Sequence, residues 1–190
     1  MLETTDTKTQ LLDCADDLIQ RVGVNAMSYN DLSVAVGIRK ASIHYHFPKK
    51  DDLVQALLAR CSDAASQKYK SVARSDASVR EKLDTLVGLY NSTLQNDKAC
   101  SISMLSVEYQ TQSETVKQSL DAAIKNTTSI YEEIFAQGKK EGLFAKAFDT
   151  HNAAFALYGF LIGTQILTRP LAERTIFLKA AKSYIDSLFR

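Results

Sequence analysis

The sequence predicts an all-α fold, and three observations predict it. Of its 190 residues only seven are Gly and two are Pro, too few breakers for the many turns that short strands require. Apolar residues recur at helical spacing over most of the chain, and no period-two alternation longer than a few residues competes. The composition, 45% hydrophobic and 24% charged, is that of a globular chain with its own core, without repeats or low-complexity tracts.

Leu11, Leu12, Ala15, Leu18, Ile19 and Val22 mark the first helix, about Thr7 to Val22, which stops at Gly23 with Arg21 in its last turn. Ser28 and Asp31 form an S-x-x-D start signal, in which the serine oxygen caps a backbone N–H and the acid sits where the helix dipole favours it. A short helix, about Tyr29 to Val36, follows. Gly37 breaks it, Ile38 and Arg39 make a turn, and a third helix runs from Lys40 to His46 until Phe47 and Pro48 end it. Two two-turn helices joined by a glycine-containing turn make a helix-turn-helix candidate.

Asp51 and Asp52 open a longer helix to about Arg74, with Leu53, Val54, Leu57, Leu58, Cys61 and Ala65 on one face. Val79, Leu83, Leu86, Val87, Tyr90 and Leu94 define the next, and a short sixth spans about Ile102 to Tyr109. A long stripe of Val116, Leu120, Ile124, Ile130, Tyr131, Ile134 and Phe135 ends near Lys139 and Lys140, with Gly142 just past it. Two helices, about Asn152 to Leu167 and about Leu171 to Phe189, close the chain on either side of Pro170.

The formal net charge of +1 argues against a protein that coats polyanions over its whole surface. The charge is unevenly placed. Arg39 to Lys50, read RKASIHYHFPKK, carries +4 with no acid, so the remaining residues sum to −3. Cys14, Cys61 and Cys100 are too few and too far apart for a zinc ribbon or a disulfide framework, and an odd count fits a reducing compartment. No apolar run approaches the roughly 18 residues of a membrane span, and the polar, acidic start is unlike a signal peptide; the expectation is a cytoplasmic protein.

Enzymatic chemistry is disfavoured. The chain has no glycine-rich phosphate loop, no H-E-x-x-H and no C-x-x-C, and the i, i+2 spacing of His44 and His46 puts their rings on different sides of a helix. His151 reads as a surface residue near a helix start. No metal, no cofactor and no catalytic residue is expected.

Within the basic window, Lys and Arg can neutralise phosphates, while Ser, Tyr and His donors can fix register or touch base edges. Leu32, Ala35, Gly37, Ile38, Ile43 and Phe47 supply what two crossed short helices need: a small residue at the crossing, a glycine at the turn and an apolar inner face. The stretch MSYNDLSVAVGIRKASIHYHFPKKDDLVQALL resembles the helix-turn-helix of TetR-family transcriptional repressors. In that family a Val/Ile-x-Lys-x-Thr/Ser-hydrophobic-Tyr-x-His-Phe-x-x-Lys-x-x-Leu core recurs.

The resemblance implies a role for each matching position. Lys40, Ala41 and Ser42 match the start of the recognition helix that enters the major groove, with Arg39 of the basic window just before it as a further DNA-binding candidate, and His44 and Tyr45 match its central pair, which contacts bases or phosphates. His46 and Lys50 match positions that hold phosphate, and Ser28 and Tyr29 the start of the second helix, which touches the backbone. Two departures stand out: position 44 is more often Tyr in the family, and helix one carries Glu3, Asp6, Asp13, Asp16 and Asp17 against Lys8. Lys8 is left as that helix's phosphate contact.

CSISMLSVEYQTQSETVKQSLDAAI, followed by a helix ending KKEGLF, resembles the regulatory domains of a NemR-like and AcuR-like branch. The resemblance implies a homodimer built through the last two helices. Gly159 and Gly163 suit close helix approach, either across a dimer or within one subunit, and Phe177, Ala181, Tyr184, Ile185 and Leu188 form a second apolar face. It also implies an effector pocket, for which Tyr90, Met104, Tyr109, Tyr131, Phe135, Phe155, Tyr158 and Gln165 are candidates, with Cys100 beside them.

The expected organisation is therefore a three-helix helix-turn-helix DNA-binding domain over residues 1–50, a connecting helix over 51–74, and a helical ligand-binding and dimerisation domain over 75–190. The expected function is sequence-specific transcriptional regulation by a homodimeric repressor, released from a palindromic double-stranded DNA operator by a small-molecule effector. Two alternatives stand beside it. Cys100 follows Lys98 and precedes a helix start, where a cation and helix N–H groups favour thiolate, so it is a candidate redox or electrophile sensor; a small buried hydrophobe fits the same position. The other alternative is a helical interaction module whose basic window meets an acidic protein.

Overall fold

The computed structural model describes residues 6–189, so Glu3 lies outside the described residues. Those residues form α1 (Thr7–Val22), α2 (Tyr29–Val36), α3 (Lys40–His46), α4 (Lys50–Ala73), α5 (Val79–Gln95), α6 (Ser101–Val107), α7 (Glu114–Lys140), α8 (Thr150–Thr168) and α9 (Ile176–Leu188), with a 3-10 turn at Tyr109–Thr111 and no strand. The all-α expectation holds.

Local sequence accounts for most helix ends. The Asp6 carboxylate accepts the Lys8 amide at 2.8 Å to start α1. Ser28 and Asp31 form the anticipated capping box of α2, and Ser78 and Glu81 form one at α5. Gly37 ends α2 in the left-handed region, at φ 73°. Two boundaries depart from the expectation. α6 stops at Val107 and the chain turns again at Tyr109–Thr111, where the Glu108 carbonyl accepts the Thr111 amide at 3.1 Å. α9 begins at Ile176, because Arg174 is held by the Leu94 carbonyl and the Asp97 carboxylate, each at 2.8 Å, and the residues after Pro170 form turns.

Contacts divide the chain into two compact units that do not coincide with the boundaries at 50 and 74. The first comprises the chain through Ser62 and Ser101–Ala122; the second comprises Asp63–Cys100 and the chain from Ala123 onward. In the first, α1 touches α2 and α6, and α2 touches α3. Leu11, Ala15, Ile19, Leu32, Ile43, Phe47, Leu53 and Leu57 are buried there. Ala35, expected at the helix crossing, is exposed, and Leu32 fills the inner face.

In the second unit α5 touches α8 and α9, around a core that includes Leu83, Leu86, Tyr90, Tyr131, Phe135, Leu157, Leu161 and Phe177. Lys82 is only 3% exposed and carries its charge into this core. Its ammonium donates to the Ala73 carbonyl at 2.9 Å and to Gln137 Oε1 at 2.7 Å, so it caps the end of α4. Among the described residues no buried side-chain nitrogen or oxygen lacks a hydrogen-bond partner. A Cβ placed on Gly159 or Gly163 meets no atom within 4 Å, so neither glycine serves packing within the subunit.

Candidate nucleic-acid interface

The basic window folds as α3 and the turn after it, and α2 sets its orientation. Ser33 Oγ donates to the Ile38 carbonyl at 2.6 Å, closing the turn between the two helices. The Tyr29 hydroxyl donates to the Phe47 carbonyl at 2.8 Å, fastening the end of α3 to the start of α2, and its ring meets His44 edge-on with centroids 4.9 Å apart. Burial pushes the Tyr29 phenol up to about 12, so it stays a proton donor at neutral pH. Ile43 and Phe47 turn inward, with 0% and 2% of their surface exposed.

That arrangement leaves one face outward. Arg39, Lys40, Ala41, His44 and Tyr45 are exposed, and Ser42 and His46 are half-buried. Tyr45 stands 84% exposed, a large aromatic ring with no core to fill. Lys8 is exposed on α1, its ammonium 5.9 Å from the centroid of the Phe47 ring. Ser28 is spent on its capping box, and Tyr29 is half-buried behind α3. The sequence reading did not single out Val34, on α2, although it is 76% exposed.

Lys50 is placed differently from the other cations. It is half-buried, and its ammonium donates to the Met27 carbonyl at 2.6 Å. Burial lowers its pKa, and the nearby carboxylates of Glu108 and Asp31 act the other way. Its first task is to tie the start of α4 to the segment that leads into α2. Sequence reasoning also missed Glu108, whose carboxylate accepts the Val24 and Asn25 amides. No motif marks a contact between residues 84 positions apart.

Family models match both parts of the chain. That for bacterial regulatory proteins of the tetR family covers residues 11–57, and that for the tetracyclin repressor-like C-terminal domain covers residues 79–184. The chain belongs to the TetR family. It is a DNA-binding transcriptional regulator of that family, and α2 and α3 are its helix-turn-helix. The HTH-type transcriptional repressor KstR2 of Rhodococcus jostii is 32% identical over 80 residues, 42% of this chain and 39% of that protein. A TetR-family regulator from Agrobacterium tumefaciens superposes with a TM-score of 0.91 at 24% identity, over 96% of this chain and 97% of the other. A regulator from Saccharomonospora viridis in complex with choline superposes at 0.82 with 22% identity, over 96% and 97%. Likeness at this identity shows the shared TetR fold and does not select a branch within the family.

The candidate effector residues separate in the TetR fold of this chain. Tyr90, Tyr131, Phe135, Tyr158 and Gln165 come together in the core of the second unit, and Cys100 packs against it half-buried. The hydroxyls of Tyr69 and Tyr131 lie 3.3 Å and 3.4 Å from that of Tyr90. Burial raises all of these phenols, Tyr69 to about 12, so the cluster is uncharged. Gln165 is fully buried, accepting the Cys100 amide at 2.9 Å and donating to the Tyr90 carbonyl at 2.9 Å. Tyr69 was not named from sequence, because nothing local distinguishes it on α4.

Three candidates lie elsewhere. Met104 and Tyr109 belong to the first unit, where the Lys117 ammonium sits 5.1 Å from the Tyr109 ring centroid. Phe155 is 61% exposed on the outside of α8. No disulfide joins Cys14, Cys61 and Cys100. Among the described residues no group of three or more His, Cys, Asp or Glu is arranged to hold a metal ion, and no helix is long and apolar enough to cross a membrane.

Proposed function

We propose that this regulator acts in the cytoplasm as a homodimeric repressor that reads a palindromic operator and leaves it when a small molecule binds the second unit. The outward face of α3 carries the reading: Arg39, Lys40 and the 84% exposed Tyr45 are donors on a helix whose inner face is anchored by Ile43, Phe47 and the Tyr29 bond. Arg39, Lys40 and Lys8 hold phosphates, Ser42, His44 and Tyr45 reach base edges or the sugar-phosphate backbone, and Ala41 permits close approach. One seven-residue helix makes few contacts. Two copies separated by about one helical turn, 34–36 Å, read successive major grooves with usable specificity.

The effector is proposed to meet the uncharged aromatic core formed by Tyr90, Tyr131, Tyr158 and Gln165. Aromatic walls with a few polar tips suit a small organic molecule, and the choline complex of the Saccharomonospora viridis structure supports that class of partner. A ligand that favours another disposition of α4 changes the spacing of the recognition helices and lowers operator affinity by its differential binding to the two states.

Selection of bound fragments from random duplex DNA tests the DNA reading. A palindromic consensus and an affinity that falls steeply with salt are expected; equal binding to selected and scrambled duplexes at physiological salt would sink the specific-repressor reading. Replacing Tyr45 by Ala should change base preference at a defined position of the selected site. An unchanged preference assigns Tyr45 to the DNA backbone.

A further inference from the structure

We propose that Glu108 is a positioning residue for DNA reading: its carboxylate, brought in by α6, holds the α1–α2 turn in the conformation that aims α2 and α3. The inference rests on the operator-binding reading above.

The geometry around that carboxylate is unusually complete. Oε2 accepts the Val24 amide at 2.7 Å, and the Asn25 amide lies 3.2 Å from both oxygens. Next door, Asn25 Nδ2 donates to Thr111 Oγ1 at 2.9 Å. Successive backbone N–H groups that converge on one anion form a nest, and charge-assisted bonds of this kind are stronger than neutral ones. Gly23 is shaped to the same carboxylate. Its φ of 87° disfavours other residues, and a Cβ there would stand 2.5 Å from Glu108 Oε1.

What the nest holds leads directly to the reading helix. Residues 23–27 connect α1 to α2; Glu108 grips one end of this segment, and the Lys50 ammonium grips the other through the Met27 carbonyl at 2.6 Å. Ser28 then starts α2, and Tyr29 fastens the end of α3. The other end of α6 is also tied to α1, where Ser101 Oγ donates to Asp16 Oδ1 at 2.7 Å and Gln20 Nε2 to Ser101 Oγ at 3.2 Å. The segment from Ser101 to Thr111 is thus a brace across α1 and the turn that follows it.

Charge and position make opposite demands here, which gives the proposal a test. Removing an acidic group from a DNA-binding unit strengthens binding to phosphate on charge alone. Loss of positioning weakens operator binding and leaves the non-specific electrostatic part in place.

The experiment titrates the full-length chain with a selected operator and a scrambled duplex over a range of salt, for the parent, Glu108→Gln and Glu108→Ala. Glu108→Gln is isosteric and tests the charge-assisted bonds without a cavity; helical circular dichroism checks each fold, and hydrogen exchange reads the Val24 and Asn25 amides. The expected result is a loss of roughly tenfold in operator affinity, the size of one charge-assisted bond, with scrambled-duplex affinity unchanged or slightly raised, the salt slope kept and both amides exchanging faster. Operator binding that is unchanged or tighter in Glu108→Gln overturns the proposal. So does an equal loss on both duplexes. A parent that does not distinguish operator from scrambled DNA overturns the operator-binding reading itself.

Discussion

Lys40 and Lys50 carry the same charge in the same basic window, but their ammonium groups have different surroundings. Lys40 is exposed at the start of α3, whereas Lys50 is half-buried on the Met27 carbonyl. Lys40→Ala should weaken binding to every sequence alike and reduce the salt slope by about one. Lys50→Ala should instead weaken operator binding with the salt slope unchanged, because what it removes is the tie between α4 and the segment before α2. Duplex titrations from low to physiological salt check both, and a salt slope lowered by Lys50→Ala would return that residue to the phosphate contacts. The sequence identified the basic window and its matching motif, since charge and spacing are local. It did not reveal which cations face outward, because the partner of Lys50 is a backbone carbonyl 23 residues away. Phe155 shows the same limit in reverse: its spacing on α8 suits either face of the helix, and the face it takes is the outer one.

At the scale of elements, α1, α2, α5 and α8 begin at carboxylates that bind backbone amides or hydroxyls near the helix start. Asp6 is held below its ordinary value first by the Lys8 amide, Asp31 by the Ser28 hydroxyl, Glu81 by the Ser78 hydroxyl and Asp149 by the Asn152 amide. A carboxyl depressed in the folded state stabilises it above the ordinary value, 3.8 for Asp and 4.5 for Glu. That stability is lost as pH falls through and below those values. The thermal midpoint should therefore drop on acidification below about pH 5, and more shallowly in an Asp31→Asn, Glu81→Gln variant than in the parent. An identical pH dependence would remove the caps from the account.

These ends were legible in the sequence because a cap is a pattern within four residues. The end of α4 was legible only as a fading of periodicity, since what completes it is Lys82, bonded to the Ala73 carbonyl. Lys82→Met keeps most of the buried stem and leaves that carbonyl unpaired, so urea denaturation should register a loss of about 1–3 kcal/mol. A neutral result would mean that relief from burying the ammonium offsets the lost bond. The start of α9 was not legible at all, because Arg174 finds its carbonyl partner on Leu94, 80 residues earlier.

For the whole molecule, the decisive surface is the one the single chain leaves uncovered. On α8, Phe155, Gly159, Gly163 and Leu167 recur every fourth residue and so share one stripe; Phe155 is 61% and Leu167 73% exposed. Ile176 and Leu178, on α9, are also open, at 43% and 42%. Exposed apolar side chains along one helix stripe suit an association site, and a Cβ on either of the stripe's glycines would meet no atom within 4 Å in the subunit. The proposed dimer gives them a use: they let a second copy of α8 approach closely. Gly159→Arg then has opposite effects on two measurements. Within the subunit a Cβ at this position meets no atom within 4 Å, and replacing a mid-helix glycine favours the helix by up to about 1 kcal/mol, so helical signal and thermal midpoint should be kept. Across the dimer it sets two charged side chains into a close contact, so sedimentation should show monomer at concentrations where the parent is dimeric. Operator affinity should then fall toward that of a half-site, while affinity per half-site is unchanged. A Gly159→Arg protein that stays dimeric would move the interface off this stripe.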